Sequence, residues 1–328
     1  MRFHLLCQRA IIGVLLIGVT GIAGASDQTI VEAVRVMERE YGVTITDSSN
    51  LPDMVRRAQH IPTGYSLHVS SISPDGGAIA WSSYSVPDNG EKLLFLTMQS
   101  VKEGIQPVQV EGRVALNSTL SSGAEVIVTL ARPLDPAQSR GRELLAIDRR
   151  TGLVVHNLTR FMTQFVLGNY VGLSVSATGS LVALENIDTE QIQVLEIPSG
   201  KSVYTGQGSF TRLSPDGKRL AFVKDGMIWI YSFTDGSTVK LLKGNRVKGI
   251  GGWSPDGRFL LAGAWTTLLA LEKRQIIVDT TTGKFAVIDK LGEGNYGVTF
   301  AWVSTKLLEQ LKVSHNQQSY SRDNLRRG

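Results

Sequence analysis

Residues 211–244, with the sequence TRLSPDGKRLAFVKDGMIWIYSFTDGSTVKLLKG, decide the fold of this chain. The SPDG segment at 214–217 predicts a tight turn, because Pro215 pre-sets φ and Gly217 closes the turn without a Cβ clash. An apolar run at 218–223 follows, and then an aromatic and β-branched run at 227–233. The stretch therefore predicts a turn, two strands, a second turn and a third strand within one β-sheet unit.

The same unit recurs along the chain. SPDG turns occur at 73–76, 214–217 and 254–257, and degenerate copies occur at 120–123 and 176–179. Their glycines lie at 76, 123, 179, 217 and 257, so the intervals are 47, 56, 38 and 40 residues. A period near 40 residues with about four strands per unit is typical of a β-propeller. The two longer intervals predict loop insertions at 87–92 and 132–142.

A sixth unit is incomplete. Phe300, Ala301 and Trp302 match the approach to Trp253 in the preceding unit, and residues 306–311 could form the next strand. Ring closure would then need a strand from the other end of the domain, for which residues 65–69 are the candidate. We therefore predict an all-β fold over residues 61–312. It is a β-propeller of six blades of four antiparallel strands, with the last blade shared between the termini.

The first 25 residues predict a signal peptide. Arg2 and Arg9 accompany an uncharged run at 10–25, and the tripeptide at 23–25 has the small residues at which signal peptidase cleaves. A membrane anchor is the alternative, but the run is shorter than the roughly 20 residues that a spanning helix needs. The single cysteine, Cys7, precedes the apolar run, whereas a lipoprotein signal places its cysteine after that run. The mature chain would then contain no disulfide.

A short helix–strand unit follows the predicted cleavage site. Ile30, Val34, Met37 and Tyr41 lie at helical spacing, and residues 43–46 favour a strand. We interpret residues 26–60 as a small cap on the propeller. At the other end, residues 313–328 are basic and polar, and we predict that this tail is disordered.

The net charge of +5 is concentrated near the two ends of the chain. Arg2 and Arg9 contribute two of these charges, and residues 303–328 carry a further +3, so residues 26–302 are neutral. A basic surface that binds nucleic acid is therefore not predicted, although the isoelectric point alone would suggest one.

The SPDG turns, with the following LAFV and IWIYSF strands, resemble the WD-repeat-like units of TolB-type β-propellers of the bacterial envelope. The resemblance covers residues 61–311 and is strongest in the unit that begins at Thr211. It implies an exported propeller that serves as a docking surface rather than as a catalyst. Residues 26–60 are too short for the α/β domain that precedes the propeller in that family.

Several motifs that could carry chemistry also have a structural interpretation. Residues 292–297 have the G-x-G-x-x-G spacing of a kinase glycine-rich loop, but only 31 residues follow, too few for the remaining kinase elements. Asp75, Asp216 and Asp256 recur in the same turn of three units, so we expect them to stabilise those turns. Residues 88–90, Asp-Asn-Gly, could contribute to a calcium site, although a turn explains them equally well.

The remaining candidates point to no cofactor. Metal-ligand spacing is lacking among the five histidines, which are His4, His60, His68, His156 and His315. The AIDRRTG segment at 146–152 resembles the repeat of quinoprotein dehydrogenase propellers, but His156 stands where that repeat has its docking tryptophan. The sequence therefore nominates no catalytic, cofactor-binding or metal-binding residue, and it leaves the partner-binding residues unknown.

These patterns predict an exported, non-enzymatic β-propeller that binds a protein partner in the periplasm or outside the cell. The alternative is a propeller enzyme, a hydrolase, lyase or quinoprotein-like oxidoreductase, with its site in the central channel. Converging carboxylates or histidines in that channel would favour the enzyme. We expect specificity in the irregular loops at 87–92 and 132–142 and in the cap, and we expect Trp229 and Tyr231 to pack between blades.

Overall fold

A computed structural model describes residues 28–47, 51, 54–55, 66–85, 93–100, 104–109, 113–123, 125–133, 142–162, 171–242, 246–265, 273–290 and 300–312. The first elements are helix α1 (Gln28–Tyr41) and strand β1 (Val43–Asp47). The last elements are strand β22 (Phe300–Ser304) and helix α2 at 305–312. Between them lie twenty strands that form five four-stranded antiparallel sheets, which we call blades 1 to 5.

The strands of each blade are consecutive in sequence. Blade 1 contains β2 (Ser66–Ile72), β3 (Ala78–Ser85), β4 (Leu93–Ser100) and β5 (Gly104–Gln109). Blade 2 contains β6 (Arg113–Ser122), β7 (Val126–Pro133), β8 (Glu143–Asp148) and β9 (Val154–Asn157), and a 3-10 turn follows at Thr159–Phe161. Blade 3 contains β10 (Val171–Val175), β11 (Leu181–Asn186), β12 (Gln191–Glu196) and β13 (Ser202–Gln207). Blade 4 contains β14 (Ser209–Leu213), β15 (Arg219–Lys224), β16 (Met227–Ser232) and β17 (Thr238–Lys240). Blade 5 contains β18 (Arg246–Trp253), β19 (Phe259–Trp265), β20 (Lys273–Asp279) and β21 (Phe285–Lys290).

The first strand of each blade is the inner strand, and the inner strands form a closed ring. β2 contacts β6, β6 contacts β10, β10 contacts β14, β14 contacts β18, β18 contacts β22, and β22 contacts β2. The ring therefore has six positions around a central channel. Blades 1 to 5 occupy five of them, and β22 lies at the sixth. This arrangement is a β-propeller, and the predicted fold class is confirmed.

Both ends of the domain build the sixth position. β1 pairs with β22 in a two-stranded antiparallel sheet, with Val43 opposite Ser304 and Asp47 opposite Phe300. Helix α1 lies on the blade 5 side, where its buried residues Ile30, Val34 and Met37 contact that blade's apolar face. Helix α2 lies on the blade 1 side, and we call α1, β1, β22 and α2 together the terminal layer.

Six apolar clusters of described residues fill the spaces between successive positions. Each cluster joins buried side chains from two neighbouring members of the ring, which is why most central strand residues are apolar on both faces. Trp229 and Tyr231 pack against the cluster between blades 3 and 4, as the sequence predicted. Tyr231 lies 4.5 Å from Tyr204 of blade 3, measured between ring centroids.

Ring closure differs from the sequence prediction in three respects. The count of six four-stranded blades is not confirmed, because the described residues supply five such sheets and a two-stranded sixth. The candidate at 65–69 does not supply the closing strand: residues 66–69 belong to β2, which pairs with β3 in blade 1, and β1 pairs with β22 instead. The predicted strand at 306–311 is helical, because Leu307, Leu308 and Leu311 bury one helix face against Trp81 and Val303.

The helix–strand unit predicted as a cap is correct in its elements but lies within the ring. α1 ends at Tyr41, Gly42 has a left-handed φ of 60°, and β1 follows directly. The predicted signal peptide at 1–25 and the predicted disordered tail at 313–328 lie outside the described residues.

Candidate functional site

The recurring aspartates lie in the first hairpin turn of their blades. Asp216 accepts hydrogen bonds from the Ser214 hydroxyl at 2.6 Å and from the Lys218 N–H at 3.0 Å. The equivalent serine and main-chain groups donate to Asp75 and Asp256. Partial burial opposes ionisation of Asp216, but these hydrogen bonds and the nearby cations outweigh it and lower its pKa. The predicted structural role of the three aspartates is confirmed.

The AIDRRTG segment also forms a turn. The Asp148 carboxylate accepts hydrogen bonds from the Arg150 N–H at 2.9 Å, the Thr151 N–H at 2.8 Å and the Thr151 hydroxyl at 2.9 Å. The Thr151 N–H contributes most to the lowered pKa of Asp148, and the Thr151 hydroxyl follows. Asp148 is therefore a turn-stabilising residue in a second type of hairpin.

The other sequence candidates contribute little to a described site. The segments at 88–90 and 292–297, and His4, His60 and His315, lie outside the described residues, as do the loop at 87–92 and most of 132–142. His156 lies on β9, the outermost strand of blade 2. The described residues contain no group of three His, Cys, Asp or Glu side chains that could hold a metal ion.

The ring has two distinct ends. The first hairpin turns, including 73–77, 176–180, 214–218 and 254–258, lie at one end, which we call the turn end. There they contact one another directly: the Ala177 N–H donates to the Pro215 carbonyl at 3.1 Å, and Arg219 Nη2 donates to the Gly257 carbonyl at 2.7 Å. The opposite end, which we call the loop end, carries the connections at 187–190, 208 and 225–226.

Bulges distort the inner strands on the channel side. In β14 the register shifts between Ser209 and Arg212, and in β18 it shifts between Ile250 and Gly252. A bulge leaves a residue outside the ladder, and Phe210 and Gly251 lie within these two shifts. Bulges of this kind commonly re-aim side chains next to binding sites.

Side chains of blade 3 cap the channel edge of β14. Glu185, which is only 4% exposed, accepts hydrogen bonds at Oε2 from the Thr211 N–H at 2.9 Å and from the Thr211 hydroxyl at 3.3 Å. The Ser174 hydroxyl accepts a hydrogen bond from the Leu213 N–H at 2.9 Å. Because Gly172 has no side chain, the Glu185 carboxylate fits beside it: a Cβ there would lie 3.3 Å from Oε2. Two inner-edge amides of blade 4 are therefore satisfied from its neighbour.

Arg212 extends the same network to blade 5. Its Nε donates to the Gly251 carbonyl at 3.1 Å, and its Nη1 donates to the Thr211 carbonyl at 2.8 Å. The Trp253 indole N–H in turn donates to the Arg212 carbonyl at 3.0 Å. Burial lowers the pKa of Arg212, and the negative charge of Glu185 opposes that shift. A buried carboxylate on blade 3 and a partly buried guanidinium on blade 4 thus connect three successive blades by hydrogen bonds.

Above this network, the loop end carries an exposed apolar pair. Phe210 has a left-handed φ of 56° and is 41% exposed, and Ile187, on the turn after β11, is 51% exposed. Glu190 in the same turn has a φ of 54°, and its carbonyl accepts a hydrogen bond from the Gly208 N–H at 2.7 Å. We call Ile187, Glu190 and Phe210 the rim. A bulky residue at positive φ costs about 1–3 kcal/mol of conformational free energy. At Phe210 this strained backbone conformation accompanies an aromatic side chain that is exposed to solvent.

A groove also lies on the outer side of the terminal layer. It is a groove of about 520 Å³ between α1 and α2, and its lining includes Arg35, Glu38, Arg39 and Lys312. Burial raises the pKa of Glu38, although the Ile45 N–H donates to its carboxylate and Arg35 lies nearby. Glu38 therefore covers part of the open edge of β1.

The sequence did not identify the rim or the buried network. Two signals were present: Glu185 follows an apolar strand at 181–184, and Arg212 interrupts the strand before an SPDG turn. A charged residue within such a strand has to find partners when the blade is buried on both faces. The bulge at Phe210 has no local sequence signal, because it depends on how two strands pair.

Comparisons with known proteins give structural neighbours alone. No protein-family model matches the chain, and no curated protein sequence matches it. TolB from Acinetobacter baumannii is 18% identical with a TM-score of 0.47, covers 73% of this chain, and is itself covered over 57% of its length. The putative TolB from Agrobacterium tumefaciens is 14% identical with a TM-score of 0.49, over 80% of this chain and 96% of that chain. The WD40 domain of Toxoplasma gondii coronin is 13% identical with a TM-score of 0.41, over 68% of this chain and 59% of that chain.

No helix among the described residues is long and apolar enough to cross a membrane. The assignment of the fold rests on the ring of sheets itself, and two TolB structures stand among its neighbours. The chain is a β-propeller, and the solved structures to which it is similar include TolB and WD40 propellers.

Proposed function

We propose that this chain is an exported, non-enzymatic β-propeller that binds a protein partner at the loop end of its ring. The pattern of residues 1–25 supports export to the periplasm or beyond the cell. The SPDG units support a docking role, because the propellers that they resemble serve as docking surfaces. Glu185 and Arg212 bind main-chain groups of the inner strands, and this structural role accounts for both charges without a catalytic function.

The exposed ring of Phe210 is the observation that carries the proposal. Phe210 lies in the bulge near the loop end of the inner strand β14, its positive φ costs backbone strain, and its aromatic side chain stays exposed. Strained residues of this kind cluster at ligand-binding sites, and buried aromatic residues dominate the energy of protein interfaces. Ile187 adds an apolar side chain at the same end of the neighbouring blade.

The turn end is less suited to binding. Its turns are locked by hydrogen bonds within each hairpin and between blades, and Arg219 additionally lies 4.8 Å above the Trp253 ring. These groups are already engaged with one another. The rim residues, in contrast, retain exposed side chains that a partner could bury.

Affinity capture with the mature protein tests the proposal. Wild type and Phe210→Ala would be used on envelope extracts, with Val239→Ala as a matched control, since Val239 is 58% exposed on the outermost strand of blade 4. We expect the same partner with wild type and the control, and at least about tenfold less with Phe210→Ala, as for an interface hot spot. Equal recovery with all three proteins would refute docking at the rim.

A further inference from the structure

We propose that the outer edge of β1 binds an extended, acidic segment of another protein, which adds a strand to the sixth position of the ring. This site lies on the outer circumference of the propeller and not at its loop end, so it goes beyond the proposed function and does not depend on it. The inference follows from the number of strands at the sixth position, from the groove beside β1 and from the charges on the walls of that groove.

The sixth position has room for further strands. Among the described residues it contains two strands, whereas each of blades 1 to 5 contains four. β22 is the inner strand, so the places of a third and a fourth strand lie beyond β1. The Thr305 N–H donates to the Gly42 carbonyl at 3.0 Å, which places the main-chain groups of the even-numbered residues of β1 toward β22. Val43 and Ile45 therefore direct theirs to the open side, and such an edge is a template for another strand.

The groove beside this edge fits one extended chain. Its volume is about 520 Å³, which falls within the roughly 300–1,000 Å³ of typical ligand sites. Val43 and Thr44 of β1 line it, together with residues of α1 on the blade 5 side and of α2 on the blade 1 side. Because a helix flanks each face of the two-stranded sheet, the edge is more accessible to a single chain than to the side of a second propeller.

Glu38 covers one main-chain group of the edge. The Ile45 N–H donates to the Glu38 carboxylate, which agrees with the outward direction of that N–H. The carboxylate thus stands where a carbonyl of an added strand would accept the same hydrogen bond. Charged side chains at sheet edges protect them from unselective pairing. A bound strand would have to displace Glu38, so this side chain limits the affinity of the site.

The α1 wall favours acidic residues. Arg35 and Arg39 line the groove, their side chains are 66% and 72% exposed, and both share a single carboxylate, that of Glu32, at 3.6 Å. Residues i and i+4 of a helix are about 6 Å apart along its axis, and residues i and i+2 of a strand are about 6.7 Å apart. Two acidic residues on one face of the added strand would therefore match the spacing of Arg35 and Arg39.

The α2 wall favours apolar residues on the other face of the strand. Leu308 and Thr305 line this wall, and the exposed Glu309 and Lys312 carry opposite charges that compensate each other. Side chains of a strand alternate between the two faces of a sheet. The groove therefore fits a segment in which acidic and β-branched apolar residues alternate, bound by strand addition.

Fluorescence anisotropy with a labelled, end-blocked heptapeptide, TVEVEVT, on the full mature protein tests this inference. We expect saturable binding that weakens at least about threefold between about 50 mM and 500 mM NaCl, because salt screens exposed charges. TVKVKVT reverses the charges and TVEPEVT removes an N–H from the strand, so both should bind at least about tenfold more weakly. Equal binding of the three peptides would refute an added strand, as would the absence of binding to both wild type and Glu38→Ala.

Variants of the α1 wall locate the site. Glu38→Ala frees the Ile45 N–H and should lower the Kd of TVEVEVT about five- to tenfold, a gain that a folding defect would not produce. Glu40→Ala, on the same helix but outside the groove lining, is the matched control. The double variant Arg35→Gln/Arg39→Gln should raise the Kd about tenfold at the lower salt concentration. Unchanged affinity in both the Glu38 and the arginine variants would refute the site.

Three further results would overturn the inference. If Glu38→Ala dimerises in sedimentation velocity and the dimer excludes the peptide, the edge binds a second copy of the chain. If removal of residues 313–328, which follow Lys312 in the groove lining, lowers the Kd about tenfold, the occupant is a segment of the same chain. If Phe210→Ala abolishes peptide binding, the peptide binds at the rim, and docking there stands while this site is refuted. Failure of the capture experiment with intact peptide binding would have the opposite meaning.

Discussion

Replacement of Leu307 by alanine tests whether the terminal layer completes the core of the ring. Leu307 lies on α2, is fully buried, and belongs to the cluster that joins α2 to Ile79 and Trp81 of blade 1. Leu→Ala substitutions at buried sites cost about 2–5 kcal/mol, from lost transfer free energy and from the cavity that remains. We expect a loss of about 3 kcal/mol in the free energy of unfolding, or about 6–12 °C in Tm for a domain of this size.

Urea denaturation and thermal unfolding, followed by tryptophan fluorescence and circular dichroism, would measure this loss. The matched control is Lys306→Ala, because Lys306 is exposed on the same helix and its loss should change stability by no more than about 0.5 kcal/mol. Equal stability of the two variants would refute the placement of α2 in the core.

A double-mutant cycle sharpens the test. Ile79→Val alone should cost about 1 kcal/mol, and combined with Leu307→Ala it should deviate from additivity by at least about 0.5 kcal/mol if the two residues share a cavity. Strict additivity would mean that α2 does not pack on blade 1.

Three further substitutions test other parts of the ring. Arg219→Ala should lower the free energy of unfolding by about 1–2 kcal/mol, because it removes a charged hydrogen bond between blades 4 and 5. Lys218→Ala should change the free energy of unfolding little. Equal effects of the two substitutions in chemical denaturation would contradict the hydrogen bond between the blades. The folded pKa of Asp279 is lowered, so its contribution to stability is present above the unfolded value of about 3.9 and is lost as pH falls through the folded pKa. Asp279→Asn should therefore flatten the fall in Tm below about pH 4, and a profile parallel to wild type would contradict this. Gly200→Ala should lower the stability of the fold far more than Gly42→Ala, although both glycines have positive φ. A Cβ atom at Gly200 would lie 2.0 Å from the Phe161 ring, whereas a Cβ atom at Gly42 would have no atom within 4 Å. Similar Tm values for the two alanine variants would show that this contact is absent.

The sequence predicted the blades well where local chemistry determines them. The turn at 214–217 and the two strands that follow it are confirmed, because proline, aspartate and glycine act within four residues and strand periodicity acts within six. Even the degenerate turn at 176–179 was placed correctly, and there Ser176 and Thr178 replace the serine–aspartate contact.

Features that depend on distant pairing could not be predicted in the same way. The partner of β1 is β22, at the other end of the domain, and no local pattern links Val43 to Ser304. The leucines of α2 did carry a helical spacing, but a repeat pattern suggested a strand instead. The network of Glu185 and Arg212 likewise forms between blades, so its geometry appears only when the ring is closed.

The pairing of β1 with β22 has a consequence for how the molecule folds. The two strands are separated by some 250 residues of chain, so their association carries one of the largest loop-closure costs in the domain, and we expect it to be a slow step of folding. Until residue 304 has been synthesised, β1 has no strand to pair with, and the face of blade 1 around Ile79 and Trp81 lacks the cover that Val303 and the leucines of α2 provide. An incomplete chain would thus expose an apolar surface and be vulnerable to proteolysis and aggregation. Completion of the last strand converts a row of blades into a ring without open ends.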